Sequence, residues 1–354
     1  MAHRLRVGIL GAGEAGTGHA HAFARLPNVE VAALWSRTRQ RARKLATELR
    51  LSNVRLYDDW PMLVEDKDID ILSVATPTGL HREPFLMALD RGLHVLVEFP
   101  LSDNLPHAVA MAQAAKRAKT VTAVCLNWRY VPAVHTIWRE IQKGRIGPVR
   151  DVRTEYRYRR LTNRYYTARG AAHEVSGEMH VASLEFDKVR LLAGSDLRRI
   201  VTRIAPYHPP RNSDFTLWDG SSTHLVELHS GALASVRVTA TAGEYEWSIV
   251  VCGDQGSLRG NLESVTRQTM TDAKPVSVKI PASCQRPEDL ELDVYAWYRQ
   301  FQDFVTAIRR GDVAHETVPY LPSVEDGLRG LQAVMAAERS AQEMRWVELK
   351  EVSD

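Results

Sequence analysis

The sequence predicts a two-domain α/β protein: a doubly wound parallel sheet, then an α+β domain with a mostly antiparallel, open sheet. Three observations carry this. From Arg4 to about Val124, apolar runs alternate with amphipathic stretches, the rhythm of strands joined by helical crossovers. The first apolar run passes directly into Gly11-Ala12-Gly13-Glu14-Ala15-Gly16, a glycine turn that opens a helix. After a helix near Val131–Lys143 the rhythm changes, and strand candidates follow one another with little helix between them, as antiparallel sheets are built. A chain of 354 residues also exceeds the roughly 250 residues at which single cores stop growing.

Taken in order, the parallel sheet is expected from Leu5–Leu10, Val29–Trp35, Ile69–Ala75, His94–Glu98 and Thr120–Leu126, with helices at 37–48, 81–91 and 105–118 between them. Each strand ends in small or polar residues or proline: Gly11, Ser36, Thr76-Pro77, Glu98 and Asn127. In a sheet of this kind those ends share one rim, where ligands bind. The second sheet is expected from 149–158, 200–204, 222–228, 232–240, 247–252 and 256–260, faced by helices at 175–192, 290–310 and 324–342. Residues 261–289 carry little periodicity and read as a long loop. The domains are therefore set at 1–125 and 126–354, with the C-terminal helix packing back on the first.

Lys+Arg 46 against Asp+Glu 43 gives a net charge of +3, too balanced for nucleic acid or an anionic membrane surface as partner. Cys125, Cys252 and Cys284 lie far apart, so neither a metal site nor a disulfide framework is expected. The start carries no signal-like apolar region, and no stretch reaches the ~18 apolar residues of a membrane span. A cytoplasmic protein acting on a small molecule is the expectation.

In the glycine motif, Gly11 permits the tight turn and Gly13 lets a phosphate approach the backbone. Gly16 allows close helix–strand packing, and a pyrophosphate sits at the helix N-terminus. Gly11 to Gly16 are thus expected around a dinucleotide in a Rossmann domain. Where an acid usually follows the second strand to bind ribose hydroxyls, this chain has Ser36-Arg37-Thr38, with Arg41 close behind. A hydroxyl and guanidiniums suit a 2′-phosphate, whereas an acid repels it. NADP is expected ahead of NAD.

The motifs GILGAGEAG, SVATPTGLH, ALDRGLHVLVEFPL, NWRYVPA, KGRIGPV and VEDGLRGLQAV, in that order, resemble those of the Gfo/Idh/MocA oxidoreductases over nearly the whole chain. The resemblance implies a Rossmann domain followed by an α+β domain whose open sheet often makes the oligomer contact, hence a homodimer or homotetramer. It implies hydride transfer between a nicotinamide and a sugar or cyclitol hydroxyl. Thr76, Pro77, His81, Glu98, Phe99 and Asn127 would then line the cofactor site, with Glu98 beside the chemistry.

Two departures stand out. The family usually reads Glu-Lys-Pro where this chain has Glu98-Phe99-Pro100, and phenylalanine neither polarises the reacting oxygen nor moves its proton. On the helix near 175–192 the family has Asp, His and Asp. Anchored on Asp187, that pattern puts Leu184 at the histidine position and His180 at the first acid position. Positions 180, 184 and 187 share a helix face, which makes His180 the candidate proton shuttle and His173 its competitor. Relatives without the lysine give a narrower resemblance. Biliverdin reductases are similar at HVLVEFPL, and the dehydrogenase of 4-carboxy-2-hydroxymuconate semialdehyde at Glu98–Asp103, Ser36-Arg37 and YRYRRLTN.

Residues 153–170 interleave arginines and tyrosines. On a strand, Arg157 and Arg159 share one face and Tyr156 and Tyr158 the other. Guanidiniums fork onto carboxylates, so Arg157, Arg159, Arg160 and Tyr165 are expected substrate contacts, with Phe99, Trp128, Arg129, His173 and His180. A solvated sheet edge or an Arg/Tyr-rich dimer interface explains the same composition. The expected function is an NADP-dependent oxidoreductase working without the lysine. It would act on a hydroxyl, hemiacetal or aldehyde carbon of a small polar, acidic or sugar-like, cyclic substrate. A biliverdin-reductase-like C=C or C=N reductase, an NAD-retaining glycosidase and a non-catalytic NADP-sensing regulator remain open.

Overall fold

A computed structural model describes residues 3–51, 53–159, 177–205, 220–239 and 241–352. The chain divides into two compact units, one of residues 1–130 and 286–328, the other of 131–285 and 329–354. In the first, β1 (Leu5–Leu10), β2 (Val29–Trp35), β3 (Arg55–Tyr57), β4 (Ile71–Val74), β5 (His94–Val97) and β6 (Thr122–Val124) pair in parallel in the order β3-β2-β1-β4-β5-β6. The order reverses between β1 and β4, which makes their shared rim the ligand crevice. Val7, Ile9, Leu34, Ile71, Leu96 and Ala123 are all buried, and burial on both faces is why these strands read as apolar runs. The crossovers carry α1 (Glu14–Ala24), α2 (Arg39–Glu48), α3 (Trp60–Val64), α4 (Arg82–Asp90) and α5 (Leu105–Arg117). Asn104 caps α5 by accepting from the His107 amide at 2.9 Å.

The second unit begins with α6 (Pro132–Gln142), β7 (Val149–Arg159) and α7 (Gly177–Ala193). There follow β8 (Leu197–Ala205), β9 (Ser221–Leu228), β10 (Leu233–Thr239), β11 (Thr241–Gly253), β12 (Gly256–Asn261), β13 (Val265–Thr269) and β14 (Val276–Val278). With β15 (Val347–Glu348) they form, among the described residues, a nine-stranded sheet in the order β14-β13-β12-β11-β7-β10-β9-β8-β15. It is antiparallel except between β7 and β10. Residues 261–289 are thus not one long loop. Val265 is 1% exposed and anchors β13 against β12, but the rest of β13 is polar and β14 is only three residues long, which leaves little alternation to read.

One helix departs from the expected division, and the C-terminal helix is divided between the two units. α8 (Leu292–Arg310), expected in the second domain, belongs to the first unit. Its Phe301 stacks on Phe23 of α1 at 4.4 Å, and Phe304 is buried in the same core. Gly18 forms the notch that admits it: a Cβ there would lie 2.2 Å from Cζ3 of Trp297. The chain then enters α9 (Val324–Glu343). The first turn of α9 belongs to the first unit, with Gly327 against Leu101 and Val124. Its remainder belongs to the second unit, where Ser340 Oγ accepts from the Thr202 amide at 2.9 Å. Among the described residues no helix is long and apolar enough to cross a membrane.

Candidate active site

At the rim of β1, Gly11 has φ +114°, and a Cβ there would sit 2.2 Å from the Ala75 carbonyl oxygen. At Gly16 a Cβ would meet the Gly11 oxygen at 2.1 Å. Neither position admits a side chain. At Gly13, by contrast, nothing lies within 4 Å of where a Cβ would be. The amides of Glu14, Ala15 and Gly16 precede the first bond of α1, from Thr17 N to the Gly13 oxygen at 2.8 Å, and a helix N-terminus presents such donors to anions. Open space beside donors with no partner among the described residues fits a dinucleotide diphosphate.

At the end of β2, Ser36 is half-buried and Arg37, Thr38 and Arg41 are exposed. Arg39 is ion-paired with Asp58, whose carbonyl accepts from Trp35 Nε1 at 3.2 Å. The position that holds an acid in many such folds is Ser36 here.

At the rims of β4 to β6 the structure revises several expectations. His81 is 1% exposed, with Nε2 2.9 Å from the Thr76 oxygen and Nδ1 3.2 Å from the Leu101 oxygen. Burial pushes its pKa down, and the ring ties the two turns together from below. Pro77 and Phe99 are half-buried, and Thr76 and Asn127 are buried. Arg129, expected to meet substrate, is 4% exposed and paired with Asp326 at 3.3 Å, and its carbonyl accepts from the Tyr320 hydroxyl. That makes it an internal strut. Trp128 beside it is half-buried.

Glu98 is likewise turned inward. It is 5% exposed, and Oε1 lies 2.7 Å from His19 Nε2 and 3.0 Å from Trp297 Nε1. Oε2 accepts from the Phe99 amide at 3.0 Å. A carboxylate so engaged braces the turn beneath Phe99 rather than trading protons with a substrate. Cys125 Sγ approaches His19 Nε2 at 3.6 Å, and burial together with the Glu98 charge pushes its thiol pKa well up. The donor atoms of His19, Glu98 and Cys125 lie within 4.8 Å of one another, a spacing that raises the question of a metal. The His19–Glu98 contact is a direct hydrogen bond, whereas tetrahedral zinc holds its ligand atoms roughly 3.3 Å apart. His19 was missed because nothing in the sequence separates it from His21 on the same helix.

In the second unit, β7 alternates as expected. Val152 and Thr154 are buried, and Thr154 donates to Glu185 of α7 at 2.5 Å. Glu185 also takes Lys188 at 2.5 Å, a pair buried beside Trp247, and burial pushes the Lys188 pKa down. The opposite face exposes Arg153, Arg237, Leu225 and Leu233. Arg157 stands on that face, held by Glu155 at 3.0 Å and Glu246 at 3.1 Å, so its guanidinium already has carboxylate partners. Leu184 is packed at 8% exposure, as is Asp187 at 1%. Arg160, Tyr165 and His173 lie outside the described residues, as do the side chains of Arg159 and His180.

Comparison with known proteins decides the family. Residues 5–125 match its NAD-binding Rossmann-fold model, and residues 139–349 match its C-terminal alpha/beta-domain model. The chain belongs to the Gfo/Idh/MocA oxidoreductase family. Among relatives in this family, levoglucosan dehydrogenase of Pseudarthrobacter phenanthrenivorans is 31% identical over 162 residues, 43% of this chain and 40% of that enzyme. Myo-inositol 2-dehydrogenase of Thermotoga maritima is 24% identical over 98% of this chain and 99% of its own. Among solved structures, levoglucosan dehydrogenase in complex with NADH and L-sorbose superposes with a TM-score of 0.86 at 22% identity, covering 98% of this chain and 99% of that one. These relatives lend no support to the narrower resemblance to semialdehyde dehydrogenase or biliverdin reductase.

Proposed function

We propose that the protein is a nicotinamide-dependent dehydrogenase acting on a hydroxyl or hemiacetal carbon of a cyclic, sugar- or polyol-like substrate. The observation that carries this is the open approach to Gly13 at the N-terminus of α1, in a chain whose two domains both match an oxidoreductase family. Levoglucosan and inositol dehydrogenases among the relatives favour the sugar-like substrate. When bound, the nicotinamide supplies the hydride chemistry. The chain's part is to hold it, orient the substrate and keep water out.

Phe99 stands where the family lysine would polarise the substrate oxygen, so proton handling falls to another group, and His180 on α7 is our candidate. Losing one acid–base group costs roughly 10²–10⁴-fold, which favours an activated carbon such as a hemiacetal. Ser36, Arg37, Thr38 and Arg41 favour NADP over NAD. The exposed sheet face bearing Leu225 and Leu233 suits a second copy of this chain.

Titrating NADPH and NADH by fluorescence, then screening turnover on sugars, anhydrosugars and cyclitols, tests the reading. Binding with turnover on one of these classes is expected. Binding without turnover on any of them would favour a cofactor-sensing regulator, and no binding would end the proposal.

A further inference from the structure

Beneath Phe99 the first unit holds a continuous polar chain. Ser73 Oγ lies 2.7 Å from His19 Nδ1, and His19 Nε2 lies 2.7 Å from Glu98 Oε1. The order Ser, His, acid is that of a nucleophile triad. Ser73 and His19 are 0% exposed, so no substrate reaches the hydroxyl and nucleophilic catalysis is closed to it. The meaning lies in the charge.

Three N–H groups converge on Glu98, from His19, Trp297 and the Phe99 backbone. A carboxylate has acceptor sites alone, whereas a carboxylic acid needs an acceptor for its own proton. Among the described residues the other groups against the cluster are Ser73, Cys125, the edge-on rings of Phe301 and Trp297, 4.9 and 5.5 Å from His19, and the buried His81, whose pKa burial pushes down although the Glu98 charge opposes it. None of these is a cation, so the net charge rests on His19. An imidazolium would cancel Glu98. A neutral ring with its proton on Nε2 leaves one negative charge, and it is the tautomer in which Ser73 Oγ, 2.7 Å from Nδ1, donates to the ring.

We propose that Ser73, His19 and Glu98 together hold one net negative charge under the rim of β4 to β6, making the protein bind the oxidised, cationic nicotinamide in preference to the reduced, neutral one. The inference rests on the nicotinamide reading above. In the strand order β3-β2-β1-β4-β5-β6 the nicotinamide half of a dinucleotide lies over β4 to β6, and a nearby protein charge tunes the cofactor. His19 is a positioning residue, since it acts through Glu98.

Isothermal titration of the oxidised and reduced cofactor into wild type and Glu98→Gln reads the bias directly. The ratio of oxidised to reduced Kd is expected to rise on the order of tenfold in the variant. A merely loosened turn weakens both forms alike, and an unmoved ratio overturns the proposal. Should the variant fail to fold, ¹⁵N spectra of histidine-labelled wild type decide. His19 neutral with its proton on Nε2 is expected, and an imidazolium or an Nδ1 proton overturns the proposal. If wild type binds neither form, the nicotinamide reading fails and takes this inference with it.

Discussion

Replacing Gly18 by alanine tests how α8 is seated in the first unit. The new Cβ would lie 2.2 Å from Cζ3 and 2.5 Å from Cε3 of Trp297, where carbon atoms settle at about 3.5–4.0 Å. The indole must retreat by roughly 1 Å or more, and its Nε1–H then leaves Glu98 Oε1, which it now meets at 3.0 Å. Overpacking costs about 1–3 kcal/mol, and loss of a hydrogen bond to a buried charged group about 1.5–3 kcal/mol. The expected destabilisation is about 3–5 kcal/mol. Urea unfolding followed by near-ultraviolet circular dichroism measures it. Trp297→Phe removes both the clash and the bond, so adding Gly18→Ala to that variant should cost less than about 1 kcal/mol. A loss below about 1 kcal/mol for Gly18→Ala alone, with the indole signal unchanged, would refute the seating of α8 on α1.

Phe99→Lys restores the family's acid–base group and should raise kcat on a cyclitol or sugar by about 10²-fold or more; unchanged steady-state kinetics would show that another residue already does that work. Arg37→Asp should weaken NADPH binding at least about tenfold and leave NADH binding nearly unchanged, read by fluorescence titration. Burial holds His224 down to about 3, its ring bracketed by Thr202 and Ser222 at 2.8 and 3.0 Å. Folded His224 stays neutral while the unfolded chain takes up a proton below pH 6.5. Its contribution is therefore complete above pH 6.5 and falls away toward pH 3, by at most about 5 kcal/mol. A His224→Asn variant should lose that slope in unfolding measured from pH 7 to 4.

Five of the six parallel strands were legible because burial on both faces leaves runs such as Val95 to Val97 no polar alternation; β3, half-buried and three residues long, was not. The glycine motif was legible because its spacing between an apolar strand and a helix is a local pattern, although the Ala75 carbonyl that excludes a side chain at Gly11 comes from a distant strand end. The home of α8 was not, since its apolar stripe says that a face is buried but not against what. That is settled by a notch at Gly18 and a ring on Phe23, far back in the chain. Glu98 was correctly put at a strand end, but its direction depends on His19, a partner fixed by the fold alone. Arg157 carried the right charge for a ligand. Its carboxylate neighbour Glu246 comes into reach through the register of β11 on β7, which composition does not reveal.

The return of residues 286–328 to the first unit also sets a schedule for folding. During synthesis the parallel sheet emerges first, yet the wall that covers α1 is still roughly 150 residues away. At ribosomal speeds of about 5–20 residues per second that is a wait on the order of 10–30 s. Through that interval Phe23 lies bare, waiting for Phe301. Every strand of the second unit's sheet except β15 therefore emerges before the first unit is complete, and residues 329–354 finish the second unit only after 286–328 have finished the first. The nascent chain needs protection in that interval, and a fragment ending at residue 130 would never leave it.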